Sequence, residues 1–204
     1  KTLPIAPAID YIELFHGPPM SMLSECLRGF LIPKEGHDFI AGDWNAVEAR
    51  LTAWLAGQEN VLENFRNGID PYIQEAANIY RIPLSEVTKL QRQIGKVAVL
   101  ALGFWGGVGA LQAMAKPFGL KLAAAFEGLW ALASKERRDR AVQRFESEYE
   151  RAIKAAEKKK LPFEFLPRDE WLASELVKVA WREANPKIVK YWALVDDAAI
   201  RAVE

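Results

Sequence analysis

Cysteine is almost absent from this chain, with Cys26 alone among 204 residues. An internal disulfide framework is therefore excluded, and one thiol fits a reducing compartment. Its place in the amphipathic stretch from Met20 to Phe30 marks Cys26 as a small buried apolar residue. Histidine is nearly as scarce, and neither His16 nor His37 has a second metal-type ligand at useful spacing. Net charge is missing too: 27 basic side chains balance 27 acidic ones, so the whole-chain charge points to no partner. There is no initiator Met and no basic-then-apolar leader, and the opening at Lys1 hints at a fragment. Internal repeats and low-complexity tracts are not found. Long apolar runs reduce to residues 97–115, where Gln112 is the one strongly polar side chain. Four glycines and many alanines give that run little transfer free energy, and Lys96 and Lys116 at its two ends set no orientation. It reads as a buried helix followed by a Gly-rich turn. A membrane-associated helical protein stays open only as a third reading.

What is present is the balance of a folded chain, half hydrophobic and 26% charged. A chain of this length buries about 70% of its unfolded surface in one or two domains. The charge is divided along it. Residues 1–80 carry five basic and eleven acidic side chains, whereas residues 81–204 carry 22 and 16. Scattered surface charge and a basic nucleic-acid-facing half both fit that split.

The first 37 residues are irregular apart from the Met20–Phe30 stretch. Asp38 to Trp44 is short, mostly apolar and flanked by polar residues, which predicts a buried strand. Asn45 with Glu48 three positions on predicts a capping box opening a helix that stops at Gly57. Asp70-Pro71 reads as an N-cap followed by Pro at the first helical position. Ser85 is expected to cap a helix running toward Phe104, and Gly103, Gly106, Gly107 and Gly109 to end it. Helices are further predicted over 134–160, 169–184 and 186–203. The fold class expected is mainly α with a small β component (α+β).

Two groups of residues carry chemistry. Asp43, Glu48 and Arg50 form D-x-x-x-x-E-x-R after the expected strand. A turn aspartate, a capping glutamate and a solvated arginine make the same pattern. Arg92, Lys96, Leu100 and Phe104 fall at i, i+4, i+8 and i+12, a slowly turning stripe about 18 Å long on a 3.6-residue helix. Its cationic end suits a polyphosphate, and its apolar end a sugar and a base. Two surface cations over two core apolar residues is the plainer alternative.

Together and in this order, DFIAGDWNAVEARLTAWLAG at Asp38–Gly57 and QRQIGKVAVLALGFWGGVGAL at 91–111 resemble the first catalytic motif and the fingers helix of A-family DNA polymerases. This is the bacterial DNA polymerase I-like family, and the look is that of its phage-borne branch. The resemblance is specific from about residue 20 to residue 116. It implies a partial palm over 1–57 and helical fingers over 58–204, with 119–165, which matches nothing in the family, as an insertion. It also implies template-directed nucleotidyl transfer from a dNTP to a primer 3′-hydroxyl, with two Mg²⁺ ions in the complete enzyme. Asp43 resembles the carboxylate that binds both ions, with the Trp44 carbonyl as a further ligand. Glu48 resembles the steric gate against a 2′-hydroxyl. Arg92 and Lys96 resemble the triphosphate clamp, Lys96 also being the acid for the departing pyrophosphate. Leu100 and Phe104 take the places beside the sugar and the templating base. Tyr72 stands where many members carry a phosphate-contacting His, and Trp105 where a Gly is usual. No motif supplying the second catalytic carboxylate is present. The implied partners are primer-template DNA, a dNTP, and a palm and thumb from the parent polypeptide or a split partner, inside a bacterial or phage-infected cell and without a membrane. The chain alone is expected to be an inactive fragment. A non-catalytic helical nucleic-acid-binding module is the alternative.

Overall fold

Helices account for almost everything regular in the computed structural model, which describes residues 5–203. The chain divides into two units, one ending at Asn45 and the other starting at Ala46.

In the first unit, α1 (Ile5–His16) and α2 (Pro19–Cys26) pack on each other, and Gly17 between them takes a left-handed φ of 83°. Pro19 sits at the first turn of α2, where its missing amide costs no helical bond. Tyr11 and Phe15, one turn apart on α1, bring their rings to 4.8 Å. No residue of α2 is buried, and Cys26 is exposed. That corrects the expectation of a buried thiol. An amphipathic pattern buries a face only where a partner surface covers it.

The expected buried strand also fails. Asp38–Trp44 is irregular, Ile40 is 98% exposed, and no strand occurs among the described residues. A strand needs a neighbour to take its backbone amides and carbonyls, and no described segment offers one. Over these residues the fold is mainly α, and the β component of the α+β expectation is not there.

The second unit opens with α3 (Val47–Ala56), α4 (Glu59–Arg66) and α5 (Pro71–Tyr80). It continues with α6 (Lys89–Leu102), α7 (Val108–Ala115), α8 (Phe126–Leu132) and α9 (Lys135–Lys159), and ends in α10 (Arg168–Ala184) and α11 (Pro186–Val203). Several ends follow the local chemistry. Asp70 caps α5, accepting from the Tyr72 and Ile73 amides, with Pro71 at the first position. Ser134 caps α9, and Gly57 closes α3 at φ 65°. Two ends differ from expectation. Ala46 in left-handed conformation, and not Asn45, is the N-cap of α3, with no side-chain cap bond. Ser85 lies in a 3₁₀ turn (Leu84–Glu86), and Thr88 caps α6. The Thr88 side chain accepts from the Gln91 amide while Gln91 Oε1 accepts from the Thr88 amide at 2.8 Å. Ser85 has Thr88 three positions on and so lacks the Glu or Gln that completes a capping box.

α10 is the axis of this unit. It packs on α5, α6, α7, α8, α9 and α11, and every residue from Trp171 to Lys178 is buried. Leu172 and Val177 meet Ile94, Val97, Leu111 and Leu122 in one core. Each such side chain contributes about 1.5–3 kcal/mol when fully buried. Two buried charges, Glu175 and Lys178, lie in this helix. Lys178 Nζ donates to Glu175 Oε2, and Arg144 Nε of α9 is 3.4 Å from Glu175 Oε1. Burial pushes the Lys178 ammonium below its ordinary value, against the upward pull of Glu175. The 119–165 segment is part of the core, through Leu122 and Leu129 and through Phe145 of α9, whose ring is 5.5 Å from that of Trp171. No helix among the described residues is long and apolar enough to cross a membrane, since 97–115 is broken between α6 and α7.

Candidate functional site

α6 buries one side against α5 and α10 and leaves the other accessible. Ile94, Gly95, Val97, Ala98, Ala101 and Leu102 are buried, whereas Arg92, Lys96 and Leu100 lie part-exposed along the opposite flank. The stripe is therefore real over its first three members. Phe104 is not on the helix, which ends at Leu102; it sits in the following turn, 51% exposed, its ring 6.0 Å from that of Trp192. Trp105 beside it has a left-handed φ of 60°. That turn is tied down from behind: Trp192 Nε1 donates to the Gly103 carbonyl at 2.7 Å, and Arg182 Nη2 to the Gly106 carbonyl at 3.2 Å. Burial lowers the Arg182 pKa, partly offset by Glu175.

Both cations of the stripe are held. Arg92 Nε and Nη2 donate to Asp70 Oδ2 at 3.0 and 2.7 Å, and its Cζ lies 5.3 Å from the Tyr72 ring centroid. Lys96 Nζ lies 4.5 Å from the ring centroid of Phe118, beyond α7. Partial burial raises the Asp70 carboxyl, but the Arg92 hydrogen bond, the Tyr72 and Ile73 amides and the Arg92 charge outweigh it and leave it below its ordinary value. The contact depends on how close α5 comes to α6. A Cβ on Gly95 would stand 2.2 Å from the Tyr72 carbonyl oxygen. Sequence reasoning took Asp70 for a helix cap alone. Its second oxygen was the missed part, since its partner lies 22 positions away.

A buried acid stands farther along α5. Glu75 is 6% exposed, Asn185 Nδ2 donates to its Oε2 at 3.2 Å, and Oε1 has no partner among the described residues. Burial pushes this carboxyl up to about 7, with the Asn185 bond pulling the other way.

Asp43 and Trp44 belong to the first unit and are exposed; Glu48 is exposed in the first turn of α3, in the second. Arg50, also on α3, lies 4.2 Å over the Phe65 ring. Among the described residues no group of three or more His, Cys, Asp or Glu could hold a metal ion. One carboxylate and one carbonyl are too few hard oxygen donors for Mg²⁺, so these residues do not form a divalent-ion site on their own.

The family model for DNA polymerase family A matches residues 18–126. The DNA polymerase of Bacillus phage SP02 is 38% identical over 197 residues, 96% of this chain and 23% of that protein. DNA polymerase I of Chloroflexus aurantiacus is 28% identical over 76 residues, covering 37% of this chain and 8% of its own length. The thermostable DNA polymerase I of Thermus aquaticus is 30% identical over 79 residues, 39% of this chain and 10% of that protein. The chain thus spans less than a quarter of the length of these relatives. No solved structure matches it significantly. The family match takes in more than half of the residues, among them both sequence blocks and the paired cations of α6, and the chain belongs to DNA polymerase family A.

Proposed function

We propose that the second unit supplies the triphosphate-gripping helix of a template-directed DNA polymerase, with Arg92 and Lys96 as the clamp. The observation that carries this reading is the pair itself. The two cations stand one helical turn apart on the accessible flank of α6, and each is aimed by a ring or a carboxylate and not left loose. A guanidinium and an ammonium about 6 Å apart along a helix suit successive phosphates, the first by a fork of donors and the second as a point charge. Leu100, farther along the same flank, is the apolar surface for the sugar, and Phe104 beyond the helix end is the ring for the base pair.

The remaining roles follow family membership. Lys96 Nζ holds the proton that passes to the oxygen of the departing pyrophosphate. Glu48 is the gate against a 2′-hydroxyl. A-family polymerases use Mg²⁺, and Asp43 with the Trp44 carbonyl are this chain's contribution to ion binding, the other oxygen donors coming from polypeptide beyond these residues. Primer-template DNA and a dNTP are the substrates of the complete enzyme.

The test is calorimetric titration of the chain with dTTP, with pyrophosphate as competitor. Binding is expected to be displaced by pyrophosphate and to weaken at least about tenfold in Arg92→Ala and in Lys96→Ala, the loss of a charge-assisted contact. No saturable binding, or binding indifferent to both substitutions, overturns the clamp. DNA binding that pyrophosphate does not displace favours a plain nucleic-acid-binding module.

A further inference from the structure

We propose that Asp70 is a positioning residue for nucleotide binding, holding the Arg92 guanidinium side-on so that its end-on edge faces the triphosphate. This rests on the clamp reading above and adds a residue to it.

The geometry gives the division of labour. An arginine has five N–H donors in a rigid plane. Asp70 Oδ2 takes the Nε donor and one from Nη2, at 3.0 and 2.7 Å. Those two lie on the side edge of the guanidinium. The remaining Nη2 donor and one Nη1 donor form the end edge, the other Nη1 donor facing back toward Cδ, and among the described residues no acceptor engages Nη1. That end edge is the fork which matches a phosphate bidentately. The Tyr72 ring, 5.3 Å from Arg92 Cζ, restrains the same plane from a second direction. Both restraints come from the N-terminal end of α5, Asp70 as its cap and Tyr72 in its first turn, and the tight contact of Gly95 with the Tyr72 carbonyl sets the distance between the helices.

Asp70 is not simply a rival anion for the phosphate. Its Oδ1 accepts from the Tyr72 and Ile73 amides, at 2.8 and 3.2 Å, while Oδ2 is taken by Arg92. Two amides at a helix N-terminus and a guanidinium absorb its charge. What remains is an anchor that removes the rotamer freedom a long side chain otherwise loses on binding.

The cap and the anchor can be separated. Asp70→Ser keeps a good N-cap but is too short to reach Arg92. Asp70→Asn keeps an oxygen for the amides and turns an amino group toward the guanidinium. Titration of the 204-residue chain with dTTP is expected to show about three- to tenfold weaker binding for both variants, with melting temperatures near wild type. In an Arg92→Ala background, Asp70→Ser is expected to weaken binding no further, because it acts through the missing side chain. Wild-type or tighter binding by both Asp70 variants, while Arg92→Ala remains weakened, overturns the positioning role and spares the clamp. A loss from Asp70→Ser that persists undiminished in the Arg92→Ala background does the same. If Arg92→Ala binds dTTP as wild type does, the clamp itself falls, and this inference with it.

Discussion

Gly95 shows how much of this molecule hangs on one absent methyl group. Alanine is the better helix former by about 1 kcal/mol, so on propensity alone Gly95→Ala in α6 would stabilise. The added Cβ would meet the Tyr72 carbonyl oxygen at 2.2 Å and the Ala76 amide nitrogen at 3.0 Å, both of them backbone. Neither can swing aside as a side-chain tip can, so α5 and α6 must part. The expected outcome is a net loss of about 1–3 kcal/mol in urea unfolding, together with weaker dTTP binding as Asp70 and Tyr72 draw away from Arg92. A variant as stable as wild type would mean that the helices separate freely.

Among the helices, the junction of α10 and α11 is bolted to α5 by an acid. Asn185 donates to Glu75 Oε2 and also to the Trp181 carbonyl, while Lys187 donates from its amide to Gln58 Oε1. The Glu75 carboxyl titrates near 7 in the folded chain against an ordinary 4.5. Between those values the folded state keeps the proton that the unfolded state gives up. The contribution of Glu75 to stability therefore falls as pH rises from about 4.5 to about 7, by about 2–3 kcal/mol, and is level above that. Glu75→Gln removes the titration and can still accept from Asn185. Chemical unfolding at pH 5 and pH 8 should show the glutamine variant gaining on wild type by about that amount at the higher pH. A difference independent of pH would contradict the buried-acid account.

For the molecule as a whole, the decisive quantity is how few hard oxygen ligands the described residues gather in one place. The described residues contain no cluster able to hold a metal ion, and no second carboxylate motif follows the one at Asp43. Template-dependent primer extension by the purified chain is accordingly expected to be nil, even with Mg²⁺ and all four dNTPs. Incorporation directed by the template would sink that expectation.

Much of this was legible in the chain itself. Asp70-Pro71, Ser134 and Gly57 end helices through bonds to residues a few positions away, so their roles could be read locally. The stripe of Arg92, Lys96 and Leu100 follows from helical periodicity, and the resemblance placed at about 20–116 lies inside the 18–126 family match. Four local readings went astray. Asn45 and Ser85 were taken for the caps that Ala46 and Thr88 provide, Cys26 for a buried residue, and Asp38–Trp44 for a strand that has nothing to pair with. An apolar run tells what wants burying and not whether a partner exists.

Helix phase, caps and family membership depend on neighbours along the chain, and the order of residues decided them. Which oxygen of Asp70 meets Arg92, which carbonyl Trp192 closes and which acid α10 buries depend on contacts across 22 to 89 positions or on the packing of six helices about one. Those distances are set when buried surfaces lock together, and only the folded molecule decides them.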